Sequence, residues 1–160
     1  MPPTNDPTSS EDAYNLNRFL QAQQVNYEQA LLEMRAGCKR THWMWYIFPQ
    51  LEGLSLSARS RHYAIRNLEE ARSYLSHPIL GARLLECAQA LMQVEGKSVS
   101  QILGSPDDEK LWASATLFAL VSPAGSVFEG LLEKYYQRAP DKLTLELLGL
   151  IAEEEKTPTE

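Results

Sequence analysis

Three kinds of side chain in this sequence could do chemistry, and most of them gather in one stretch. The run Lys39-Arg40-Thr41-His42-Trp43-Met44-Trp45-Tyr46-Ile47-Phe48-Pro49-Gln50 holds two of the three tryptophans and one of the three histidines. His42 carries an imidazole and could act as a general acid or base. Its structural alternative is a ring that donates one hydrogen to a backbone carbonyl. Trp43 and Trp45 could stack on a base or sugar ring, or wedge into the core. Lys39 and Arg40 could pair with a phosphate. They also follow a predicted helix C-terminus, where basic residues are favourable in any case. Gln50 and Tyr46 add polar atoms that must be paired if they are buried.

A second candidate is the adjacent pair Asp107 and Asp108. Carboxylates there could serve as a general base or stabilise positive charge on a reacting sugar. They also belong in a first helical turn for dipole reasons, and that same charge disfavours a phosphate at this helix end. Tyr63 and Arg66 complete the candidate ligand-binding set, with Arg59, Arg61 and Arg66 forming a local basic patch. Glu28, Glu33, Glu69, Glu70 and Glu133 read as solvated helix faces. Cys38 and Cys87 show no CxxC spacing and no Cys/His metal pattern, so neither a metal nor a cofactor is expected.

The elements that must position these residues read as helices. Leu16, Phe19 and Leu20, then Tyr27, Ala30, Leu31 and Met34, recur at three- and four-residue spacing, as two helical runs that stop at Gly37. Asn67 is placed to cap a helix from Leu68 to Leu75. Pro78 opens a longer helix with Leu80, Leu84, Ala88 and Leu91 on one side, ended by Gly96. Ser98 caps a short turn through Leu103. Ser105 is the expected N-cap of a helix with Pro106 in first position and Asp107, Asp108 and Glu109 behind it. Further helices fall around Val127–Tyr136 and Leu143–Ile151. No period-2 strand stands out; Tyr46-Ile47-Phe48 is strand-like but short and limited by Pro49.

The predicted fold class is all-α, a single-domain irregular bundle of about six to eight helices. Residues 1–10, with no apolar residue after Met1, and residues 153–160 cannot bury enough surface and are expected to be disordered tails around a domain at 11–152. At 160 residues, with 44% hydrophobic and 22% charged residues, the chain is long enough to bury a core without staples. A net charge of −6 argues against a general nucleic-acid partner. No signal pattern and no membrane-length apolar run is visible, so a cytoplasmic protein with no membrane partner is expected.

His42 to Gln50, Tyr63-Ala64-Ile65, Ala71 to Leu75 with His77-Pro78-Ile79-Leu80-Gly81, and Gly104 to Asp108 with Lys110-Leu111 and Thr116-Leu117-Phe118 together resemble the bacterial domain-of-unknown-function 1810 family. The resemblance covers about residues 12–150 and rests on a long, specific motif. It implies an all-helical single domain with no settled activity. Members are sometimes labelled calpastatin-like, a reading to which nothing in these residues speaks. A shorter pattern, a Trp/Phe-rich segment followed by a helix and His-Pro-x-Leu-Gly, is similar to NADAR-type domains linked to ADP-ribose chemistry. Their catalytic residues do not map one by one onto this chain.

Two functional expectations follow. One is a protein, enzymatic or not, that takes a nucleotide-derived ligand of ADP-ribose type. Trp43 or Trp45 would stack its ring, Lys39, Arg40, Arg61 or Arg66 would meet phosphate, and Asp107 or Asp108 would face the ribose. The other is a non-catalytic interaction domain in which the aromatic motif is only the core. Joint lining of one opening by His42, Gln50 and Asp108 would favour the first. Burial of all three against backbone would favour the second.

Overall fold

Apolar residues at helical spacing end up on the inward sides of nine helices in a computed structural model, which describes residues 12–152. In chain order these are α1 (Asn17–Ala36), α2 (Met44–Ile47), α3 (Ala58–His62), α4 (Leu68–Ser76), α5 (Leu80–Met92), α6 (Val99–Leu103), α7 (Asp107–Leu120), α8 (Val127–Tyr136) and α9 (Lys142–Leu147). The protein is an all-α single domain. Its tails as expected at 1–10 and 153–160 lie outside the described residues.

Two helices organise the packing. α5 packs against α1, α4 and α8, while α7 packs against α2, α4, α6, α8 and α9. Phe19, Tyr74, Phe118 and Phe128 form a chain of ring contacts with centroids 5.0–5.7 Å apart through the centre. All four are fully buried. Rings of this size supply much of the apolar area that drives collapse. None of the described helices is long and apolar enough to cross a membrane.

The caps follow the sequence in most places. Asn67 Oδ1 accepts from the Glu70 N–H at 2.8 Å, and Ser98 and Gln101 make a reciprocal capping box on α6. Gly37 ends α1 at φ 72°, the left-handed conformation that glycine adopts without a Cβ penalty. Gly81 has another reason to be glycine. A Cβ there would collide with the Leu75 carbonyl, so only a bare α-carbon lets the start of α5 fold back onto α4. His77 assists that turn: its Nδ1 accepts from the N–H groups of Ile79 and Leu80 at 3.1 and 3.2 Å.

Four expectations need correction. The two N-terminal runs are one continuous helix, α1, of 20 residues. The helix count is nine among the described residues because α2, α3, α6 and α9 have only four to six residues. So few turns leave no period to detect. α5 stops at Met92, before Gly96, which takes a left-handed turn beyond it. Ser105 does not cap α7. Pro106 occupies the cap position, where it has no side-chain acceptor; its carbonyl accepts from the N–H groups of Glu109 and Lys110, and Asp108 Oδ1 accepts from the Glu109 N–H at 2.8 Å.

The strand-like reading of Tyr46-Ile47-Phe48 is also replaced, by the single turn α2. The nearest thing to a strand among the described residues is one parallel bridge between Leu51 and Ile65. In it the Ile65 N–H donates to Gln50 O and the Glu52 N–H to Ile65 O, each at 2.8 Å.

Candidate functional site

The two tryptophans of the motif lie two residues apart, Trp43 as the N-cap of α2 and Trp45 within its single turn. Residues two apart in a helix point about 200° away from each other, so one of Trp43 and Trp45 must face in when the other faces out. Trp43 is the inward one, with no exposed surface. Trp45 is half-buried and borders a hollow.

What holds Trp43 is Glu33, one of the acids expected on a solvated face. Glu33 is 3% exposed. Its Oε1 accepts from the Trp43 indole N–H at 2.8 Å and from the backbone N–H groups of Arg40 and Thr41 at 2.9 and 3.1 Å. Its Oε2 accepts from the Thr41 hydroxyl and the Gln29 side chain, both at 2.8 Å. Burial alone would raise the carboxyl pKa. The five donors outweigh it and bring it down to about 2. The loop from Arg40 to Trp43 is thus wound around one buried carboxylate. Helical position alone hid this, because on α1 Glu33 follows an exposed leucine and looks like a face residue.

Glu70 is corrected in the same way. It is fully buried, and its Oε2 meets Arg18 Nη2 at 2.8 Å. Arg18 also donates to the carbonyls of Tyr14, Asn15, His62 and Ala64. This saturated guanidinium clamps the segment that carries Tyr63. Glu28, Glu69 and Glu133 are exposed, as expected.

The other end of α2 is pinned by Gln23, whose Nε2 donates to Tyr46 O at 2.7 Å. With α2 fixed at both ends, and Gln50 stapled by the Leu51–Ile65 bridge, Trp45, Gln50 and Tyr63 meet at a small hollow of about 20 Å3. Ser55, Ser60 and Arg61 also line it, and Glu52 stands in its wall. The Tyr63 ring rests on Phe19 and Tyr46, with centroids 5.8 and 5.4 Å away.

Cations cluster on the Trp45 ring. Arg59 Cζ lies 4.8 Å and Lys110 Nζ 5.1 Å from its centroid. Lys110 in turn meets Asp107 Oδ1 at 3.4 Å, and Lys39 Nζ meets Asp107 Oδ2 at 2.9 Å while lying 5.1 Å from the Trp43 ring. Lys39, Asp107, Lys110 and Trp45 therefore form one connected chain from the core to the hollow.

The remaining candidates go elsewhere. His42 and the Arg40 side chain are exposed. Arg66 is exposed as well, its Nε 4.0 Å from Glu70. Asp108 turns away to accept from Ser100 Oγ at 2.6 Å. His42, Gln50 and Asp108 neither share one opening nor lie buried together; of the three only Gln50 lines the hollow. Lys110, Ser55 and Ser60 were not among the site candidates in the sequence. Lys110 is one turn beyond Asp107, a spacing that could have signalled its ion pair. The two serines carry no signal of their own.

A second, wider hollow of about 430 Å3 adjoins the first and shares Gln50 and Ser55 with it. Among the described residues no three His, Cys, Asp or Glu side chains are grouped to hold a metal ion.

A family model described as a protein of unknown function, DUF1810, matches residues 13–148. The chain is similar to a crystal structure of the conserved hypothetical protein Rv1873 from Mycobacterium tuberculosis. The two are 47% identical with a TM-score of 0.84, over 87% of this chain and 99% of that one. No curated protein matches.

Proposed function

This chain belongs to the DUF1810 family of proteins of unknown function, and we propose that it binds a nucleotide-derived small molecule, of ADP-ribose type, at the Trp45 hollow. One observation carries this reading: Trp45, Gln50 and Tyr63 meet Ser55, Ser60 and Arg61 in a single concavity, with Arg59 and Lys110 on the indole. An aromatic wall, hydroxyl donors and cations are what a phosphate attached to a flat, polar molecule needs.

Each residue has a role in this reading. Arg61 pairs with phosphate, and Ser55 and Ser60 donate to its oxygens. Gln50 and Glu52 meet ribose hydroxyls. Arg59 is exposed, and a surface cation–π contact is worth only about 0.5–1 kcal/mol. The ligand therefore displaces it from Trp45 at small cost. Asp107 stays between Lys39 and Lys110 and sets the position of Lys110. Lys39, committed to Asp107, and Arg40, outside the hollow, contribute through the overall field.

The alternative, an interaction domain without a ligand, is favoured by the Glu33–Trp43 half of the motif, which is core. Calorimetric titration and thermal shift with ADP-ribose, NAD and GMP separate the two. Binding should strengthen at low salt, where screening is least, and weaken at least tenfold in Arg61→Ala. No heat and no shift at millimolar ligand would leave the interaction domain as the reading.

A further inference from the structure

We infer that the two adjoining hollows are one bipartite cleft: the Arg61 lobe takes a phosphate, and the Trp112 lobe takes a flat heterocycle bearing N–H donors. This rests on the ligand reading proposed above and adds the orientation and the second half of the site.

Three observations join the lobes. Gln50 and Ser55 line both hollows, so they form the saddle between them. Lys110 lines the second lobe while its ammonium lies over the Trp45 ring of the first. The first lobe encloses about 20 Å3, space for a phosphate-sized group and no more; the second encloses about 430 Å3, within the range of small-molecule pockets, and has room for the rest of a phosphorylated nucleoside.

Chemistry sets the direction. The second lobe has apolar walls in Leu54, Trp112 and Leu143, and carries Glu109 and Asp141. The Trp112 ring is held rigidly: it stacks on Tyr136 at 5.6 Å and 8°, and its N–H donates to Ala139 O at 2.7 Å. Asp141 accepts from Thr144 Oγ1 through Oδ2 and keeps Oδ1 for another donor. The Lys110 ammonium is shared with Asp107. Two carboxylates repel a phosphate here and accept from amino and ring N–H groups, while the apolar walls cover a flat ring. The first lobe sets one carboxylate, Glu52, beside Arg61, Ser55 and Ser60, so the phosphate is left to it, with Glu52 toward the sugar that spans the saddle.

The test compares GMP with ribose 5-phosphate on the whole protein by calorimetry. Leu143 is 58% exposed, so Leu143→Glu changes the lobe without opening the core. It should weaken GMP about tenfold and leave ribose 5-phosphate unchanged. Glu109→Gln, also at an exposed position, should weaken GMP more than ribose 5-phosphate. Arg61→Ala should weaken both alike. Equal effects of Leu143→Glu and Glu109→Gln on the two ligands, or none, would overturn the bipartite cleft while the phosphate site stands. Failure of both ligands to bind the unaltered protein would remove the ligand reading and the cleft with it.

Discussion

Trp43 and Trp45 sit two residues apart in one motif and have opposite surroundings. The Trp43 side is dry and saturated, with a carboxylate taking five hydrogen bonds beneath it. The Trp45 side is half-open, with cations on its ring and unfilled space beside it. A single helical turn makes the division. The lesson is that an aromatic motif can be a core and a pocket wall at once, and that its density does not say which ring does which.

The largest separation between the two sides should appear in stability. Trp43→Ala removes a fully buried indole and orphans part of Glu33; it should cost about 3–5 kcal/mol. Trp45→Ala should cost about 1 kcal/mol, since its ring is only half-buried. Urea unfolding of both variants measures the gap. Equal losses would mean the two rings share one environment.

Glu33→Gln sharpens the same side and should destabilise by about 2–4 kcal/mol, because an amide cannot accept from all five donors and adds donors of its own. Its pH dependence follows from the sign of the shift. The folded pKa of about 2 lies below the ordinary value of 4.5, so the unfolded chain binds the proton more readily. The stabilisation is full above about pH 4.5 and is lost as pH falls toward 2. It amounts to about 3 kcal/mol by the usual 1.36 kcal/mol per unit. Denaturation midpoints from pH 6 to pH 2.5 should fall less steeply in Glu33→Gln. Parallel curves would place the acid sensitivity in another carboxylate.

The open side is broken by charge. Arg59→Ala frees one contact on the Trp45 ring, and its effect on stability should stay below about 1 kcal/mol. Trp45 fluorescence should shift in this variant, and the emission change caused by added GMP should shrink. An unchanged ligand response would mean that the ligand does not reach the Trp45 ring.

The caps give a further contrast, away from both tryptophans. Asn67→Ala should cost about 1 kcal/mol, since its side chain accepts from Glu70. Ser105→Ala should melt within a few tenths of a kilocalorie of the parent, because Pro106 holds the position that Ser105 was expected to take. Matched melting of the two variants would undo this assignment of caps.

The sequence by itself determined where the long helices lie, the stop of α1 at Gly37, the cap of α4 at Asn67 and the place of the motif. Periodicity and cap chemistry are local, and α1, α4, α5, α7 and α8 are long enough to display them. It also marked Trp45, Gln50 and Tyr63, because aromatic and polar types crowd one short stretch. It did not determine which acids are buried. Glu33 and Glu69 look alike along a helix, and only the arrival of the 40–43 loop over α1 turns Glu33 into the centre of five hydrogen bonds. Glu70 likewise owes its burial to Arg18, 52 residues away in the chain. Nor could it join Lys39 to Asp107 or bring Lys110 over Trp45, since α7 reaches α2 only through tertiary packing. Local pattern sets each helix, but which charged groups meet depends on where distant elements dock. The desolvation that makes such a meeting obligatory exists only after they have docked.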